Sequence, residues 1–169
     1  PGALLQIFPK IGMPGIGVTG ASLAHGSGMG AGLALAAKRN GKDQRIYVVV
    51  SDGEHYEGSL WETAMFAAHH ELDNLCQVVD RNRKIILGDS EDLLRLEPLA
   101  EKWRAFGWHA IEVDGHDHSE ILAAYGEAQA TKGKPTVIIG NTLKGKGISF
   151  MEGEHRWHHG AFSDQQALD

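Results

Sequence analysis

With 169 residues, 42% of them hydrophobic and 22% charged, the chain is long enough for one domain with a real core and is globular in composition. Its formal net charge of -6 gives no basic excess for nucleic acid or an anionic membrane, and no apolar run approaches the roughly 18 residues that span a bilayer. The single cysteine, Cys76, makes no internal disulfide, and the opening PGALLQIFPK lacks a signal-peptide pattern, so the expected compartment is the cytoplasm.

In chain order, residues 1–20 are rich in Pro and Gly and predict a loop after a short apolar piece. Residues 22–39 place small and apolar residues at helical spacing and close on Arg39-Asn40-Gly41, a C-cap signal. RIYVVV (45–50) predicts a buried strand, 56–70 a helix, and LCQVVD (75–80) the next strand. EPLAEKWRAFG predicts a helix stopped by Gly107, and WHAIEV a strand. HDHSEILAAYGEAQATKG predicts a helix with a capping-box-like start at Asp117 and Glu120, and PTVIIGNT a strand. The 22 glycines cluster at 12–32 and 145–147, which implies a backbone that approaches something closely. Helices alternating with near-continuous apolar strands imply an α/β fold: a parallel sheet with helices on both faces. One domain would cover 1–169, with 150–169 as a tail of no clear period.

The stretch VVVSDGEHYEGSLWE (48–62) runs a buried-looking strand straight into Asp52. In an open parallel sheet, ligands bind beyond the carboxyl ends of the strands. The next strand ends at Asp80-Arg81-Asn82, so one right-handed crossover brings Asp52 and Asn82 to the same edge. A carboxylate and an amide oxygen there suit a hard divalent cation. Mg²⁺ usually takes one or two protein oxygens and completes its shell with phosphate and water, whereas Ca²⁺ wants more protein ligands. Taken alone, Asp52 reads first as a cap on the following helix, and it is Asn82 and its surroundings that favour the metal.

Other features are weaker signals. Glu54 reads as a solvated first-turn acid, while Glu57 stays open between that and a functional role. His69 and His70 read as surface or packing residues. His116, His118, His155, His158 and His159 lack the paired spacing of a structural zinc site. Cys76 lies in an apolar strand and reads as core, and Lys144-Gly145-Lys146-Gly147 as a turn or an anion-contacting loop. GIGVTG (15–20) satisfies G-x-G-x-x-G, but a proline-bearing loop precedes it and AAKRN follows where a dinucleotide fingerprint needs an acid.

SDG at 51–53, with thirty positions from Asp52 to Asn82, resembles the thiamine diphosphate motif, whose usual form begins Gly-Asp-Gly. PGIGVTGASLAHG, LEPLAEKWRAFGWHAIEVDGHD and GKPTVIIGNTLKGKGISFME resemble, in this order, phrases of the amino-terminal, diphosphate-binding part of transketolases, above all those made as two subunits. The resemblance runs from about Pro14 to Gly160 and implies thiamine diphosphate and Mg²⁺ as cofactors. It implies Asp52, Asn82 and the Lys84 carbonyl as metal ligands, with Ser51 and Gly53 at the diphosphate. Ile86 would lie against the thiazolium, Leu23, Ala24 and His25 in a loop beside cofactor and substrate, and Glu57 in a carboxylate network across a dimer. His159 would line the substrate channel, a register that His158 also fits.

The departures are Ser51 for the usual Gly, Leu87 where many relatives have Asp, and Phe8-Pro9 where the family has a His-Pro that touches the donor sugar. Roughly the first ninety to a hundred family residues have no counterpart here, against a typical domain of about 100–200. The domain that binds the aminopyrimidine ring is absent as well. The resemblance thus implies ketol transfer from a ketose to an aldose by an oligomer that includes a pyrimidine-binding partner. A non-catalytic assembly subunit of the same fold, or another thiamine diphosphate enzyme such as deoxyxylulose-phosphate synthase or an oxo-acid dehydrogenase component, stands as the alternative.

Overall fold

The computed structural model describes residues 12–161, 163 and 165. Helix α1 (His25–Arg39) leads into β1 (Ile46–Ser51), a 3-10 turn (Asp52–Tyr56) and α2 (Gly58–His69). Strand β2 (Leu75–Arg81), the hairpin β3 (Lys84–Ile85) and β4 (Gly88–Asp89), and the short α3 (Ser90–Leu93) follow. Then come α4 (Leu99–Ala105), β5 (His109–Asp114), α5 (His118–Ala130), β6 (Thr136–Asn141) and a last 3-10 turn (His155–His159).

The four long strands pair in parallel in the order β1-β2-β6-β5. Alternation along each strand sends Val48, Val50, Val79, Val137 and Ile139 to one face, under α1, α2 and α4. Cys76, Val113 and Ile138 go to the other face, under Ala124 and Ala128 of α5. The chain steps outward from β1 to β2 to β5, then reverses to insert β6. Right-handed crossovers place a helix on the opposite face when the direction reverses, which is why α5 alone covers the second side. The expected parallel sheet with helices on both faces is what forms.

Three details show why these residues build these elements. Gly30 of α1 lies so close to β1 that a Cβ there would sit 2.3 Å from Val48 Cγ2, so at this position the glycine-rich stretch approaches the sheet itself. Trp103 and Trp108 meet edge to face at 4.7 Å between ring centres and Trp61 lies 5.3 Å from Trp103, an aromatic layer that fixes α2 and α4 over the strands. Asp117 caps α5 by accepting the amides of Ser119 and Glu120, at 2.7 and 3.2 Å. The Glu120 carboxylate instead takes the Asp114 amide at 2.8 Å, so it closes the β5–α5 turn rather than completing a capping box.

Three departures from the predicted elements are local. The helix expected over 56–70 begins as a 3-10 turn at Asp52 and restarts at Gly58. The hairpin and α3 are too short to show a period in the sequence. The period-free tail contains the final 3-10 turn. The second face is bare at its β1 end: Val49 is 73% exposed, while neighbouring Tyr47 leans on Tyr125 at 5.5 Å. Among the described residues no helix is long and apolar enough to cross a membrane.

Candidate functional site

The register puts Ser51 beside Asp80, so Asp52 and Asn82 leave adjacent strand ends on the same edge of the sheet, as the sequence implied. Asp52 is fully buried at the head of the 3-10 turn. Arg81 Nη1 lies 3.0 Å from its Oδ2, within Coulomb reach, yet neither carboxylate oxygen has an aligned hydrogen-bond partner. Burial pushes the Asp52 carboxyl up to about 6, against the pull of the Arg81 charge. A buried acid with no aligned hydrogen bond at either oxygen fits a cation as ligand better than it fits a helix cap, because a cap would have its backbone amides.

Asn82 is held in a defined orientation. Its Nδ2 donates to Asp80 Oδ2 at 2.8 Å, and its Oδ1 accepts the Lys84 amide at 2.9 Å with a second lone pair left over. Asp80 is fixed in turn by the Thr142 hydroxyl, from the end of β6. The hairpin carries Lys84 and the exposed Ile86 past this point, and Ile85 Cγ2 would lie 3.6 Å from a Cβ on Gly53. The final 3-10 turn lies against the same hairpin, with His158 and His159 both exposed.

The Leu23–His25 loop joins the site through an acid. Glu54 Oε1 accepts the Ala24 amide at 3.0 Å, and its Oε2 accepts the Ser51 amide at 2.7 Å. Glu54 is therefore half-buried and structural, not the solvated acid expected, and the Ser51 N–H is committed to it rather than pointed at a ligand. Leu23 and His25 are exposed, as is Glu57, the residue before α2.

Sequence reasoning missed four groups here. Ser51-x-x-Glu54 carries the capping-box spacing, so the Glu54 bridge is partly visible in the sequence. Arg81 stands at an inward position of an alternating strand, where a charge is itself a signal. Asp80 shows in the sequence only as a neighbour of the strand end. His55 gives no signal: it is buried, with Nδ1–H donating to the Ser51 carbonyl at 2.9 Å and Nε2 accepting from Trp103 Nε1 at 3.3 Å. Burial lowers it to about 4, so it stays neutral beneath the site. Phe8 and Pro9 lie outside the described residues. Groups of three or more His, Cys, Asp or Glu able to hold a metal are absent among the described residues.

A cleft of about 680 Å³ opens beside the site along the ends of β2, β6 and β5. Its lining includes Arg81 and Arg83 as well as the acids Glu112, Asp114 and Glu120. Asp52 and Asn82 do not line it, so the strand-end pair, and not this cleft, defines the candidate site.

A family model described as "Transketolase, thiamine diphosphate binding domain" matches residues 7–168. An apulose-4-phosphate transketolase subunit from Phocaeicola vulgatus is 41% identical over 165 residues, covering 98% of this chain and 59% of that one. The 6-deoxy-6-sulfo-D-fructose transketolase subunit SqwG of a Clostridium species is 44% identical over 145 residues, covering 86% of this chain and 53% of that one. The crystal structure of Campylobacter jejuni transketolase superposes with a TM-score of 0.81 at 32% identity, over 88% of this chain and 24% of that one. The chain thus spans little more than half the length of the two subunits and about a quarter of the solved transketolase.

Proposed function

The chain belongs to the transketolase family and carries its thiamine diphosphate-binding domain, and from that premise we propose that it supplies the metal- and diphosphate-binding half of an enzyme moving a two-carbon ketol unit from a ketose to an aldose. The observation that carries this reading is the buried Asp52 carboxylate, which faces Arg81 without an aligned hydrogen bond, on the strand end next to Asn82. Asp52, the Asn82 Oδ1 and the Lys84 carbonyl would hold Mg²⁺, and Gly53 leaves room for the diphosphate. When bound, thiamine diphosphate supplies the carbanion chemistry of the transfer.

The protein's own part is to bind, orient and dry the site. Leu23, Ala24 and Ile86 would pack on the thiazolium, their loops held by Glu54 and by the Asn82–Lys84 bond. Ser51 would act chiefly by keeping Glu54 in place. His25 and His159, or His158 in the other register, would meet the sugar, and Glu57 would face the corresponding acid across an interface.

We place the chain as a partial, single domain in the cytoplasm, working as a homo- or hetero-oligomer with a pyrimidine-binding chain or domain. Two relatives are named as subunits, and bare Val49 leaves an apolar face to be covered. Sugar phosphates are the substrates to try first.

Calorimetry of the chain with thiamine diphosphate and Mg²⁺ tests the site. Binding should require Mg²⁺ and vanish in Asp52→Ala, with the far-UV circular dichroism of the variant unchanged. Equal affinity in both proteins would sink the assignment. Turnover of ketose and aldose phosphates, assayed with and without a pyrimidine-binding partner, tests the activity.

A further inference from the structure

The Asp52 carboxylate shares its burial with a guanidinium that the family resemblance does not explain. Arg81 ends β2 on the face used by Leu75, Gln77 and Val79, and its side chain has no solvent exposure. Its Nη1 lies 3.0 Å from Asp52 Oδ2 and 3.0 Å from Ser90 Oγ. Its Nη2 lies 2.5 Å from Glu91 Oε1 and 2.9 Å from Glu97 Oε1, with Nε 3.1 Å from the latter. Glu91 and Glu97 are 30% and 45% exposed and Asp52 is 0% exposed. Water therefore screens the outer two pairs and leaves the inner one strong.

We propose that Arg81 is a positioning residue that makes this site prefer a metal–diphosphate complex over a free divalent cation. The proposal rests on Asp52 being the metal ligand. A Mg²⁺ bound to that carboxylate at about 2.1 Å lies within about 7 Å of Arg81 Nη1, because one carboxylate separates them. Two positive charges so close, one of them fully buried, repel one another. A bare cation must also draw Asp52 away from its guanidinium partner. A diphosphate carries more negative charge than the cation carries positive, so the complex arrives as an anion, and the same guanidinium attracts it. One buried charge thus acts in opposite directions on the two ligands. Its fork, held by Ser90, Glu91 and Glu97, keeps it from moving aside.

The test uses Mn²⁺ as the spectroscopic probe for Mg²⁺ and inorganic pyrophosphate for the diphosphate. Free Mn²⁺ is read by electron paramagnetic resonance on the full chain. Wild type, Arg81→Gln, Arg81→Lys and Asp52→Asn are titrated with Mn²⁺ alone and with Mn²⁺–pyrophosphate. Arg81→Gln is expected to bind bare Mn²⁺ about threefold tighter and the complex about tenfold weaker, while Arg81→Lys, which keeps the charge, stays near wild type. A purely structural role would weaken both in Arg81→Gln, and that result, or no change in either, overturns the proposal. If Arg81→Gln fails to fold, Arg81→Lys decides alone: loss of the preference for the complex in that variant overturns it, and retention supports it. The underlying reading fails separately, and takes the proposal with it, if wild type binds neither ligand or if Asp52→Asn binds both as wild type does.

Discussion

Glu54 and Ala24, thirty residues apart in sequence, meet at 3.0 Å, where the carboxylate accepts the Ala24 amide. Ala24 is buried and holds a left-handed backbone, φ 63°, that alanine seldom adopts. The bridge therefore keeps the loop before α1 in a conformation it would otherwise leave. Glu54→Ala should cost about 1–3 kcal/mol in urea unfolding, since it strands a buried amide. Glu54→Gln, which keeps one acceptor oxygen, should cost less. An alanine variant as stable as wild type would show that the bridge holds nothing.

The Asp52–Arg81 pair should behave as a coupled unit. Arg81→Met leaves three carboxylates without their cation and should lose about 3–5 kcal/mol. Adding Asp52→Asn should recover part of that loss, because the innermost uncompensated charge goes with it. Two effects that simply add, to within about 0.5 kcal/mol, would mean the residues do not interact.

Stability against pH should show two opposed contributions. The folded pKa of His55, about 4, lies below its usual 6.5, so between these values the unfolded chain binds more protons and stability falls on acidification. The folded pKa of Asp52, about 6, lies above its usual 3.8, so between these values the folded chain binds more protons and stability rises on acidification. Each contributes about 3 kcal/mol when complete, since a tenfold change in proton affinity is roughly 1.4 kcal/mol. Without metal or cofactor the two nearly cancel between pH 4 and 6. Asp52→Asn should unmask the His55 effect as a steep loss of melting temperature toward pH 4, and an unchanged profile would refute the opposition.

Val49 should report on assembly rather than on the domain's own stability. Val49→Lys changes a residue already 73% exposed, so the unfolding free energy of the isolated domain should move by no more than about 0.5 kcal/mol. If that face is covered by another chain, light scattering should show a smaller particle for the variant. Equal mass in both proteins would place the interface elsewhere.

What the sequence determined by itself was whatever depends on local period and on near-universal handedness. Apolar runs at 45–50, 75–80 and 135–142 become parallel strands, the latter two in the middle of the sheet and covered on both faces, and right-handed crossovers then leave little freedom of topology. Asp52 and Asn82 were legible as one site for the same reason: each follows directly from the end of a strand, and the two strands are joined by one helix. What only the tertiary structure decided was which distant groups share a space. The insertion of β6 between β2 and β5 brings Thr142 to Asp80, and so orients Asn82. The packing of the 90–97 segment against β2 turns Arg81 from an oddity in a strand into the partner of Asp52, Glu91 and Glu97. Gly30 proved to be a contact with Val48, and Glu54 a clasp on Ala24. A hydrogen bond or ion pair between residues far apart in sequence leaves no period behind. Its energy depends on burial and distance, which exist only once the chain has closed on itself.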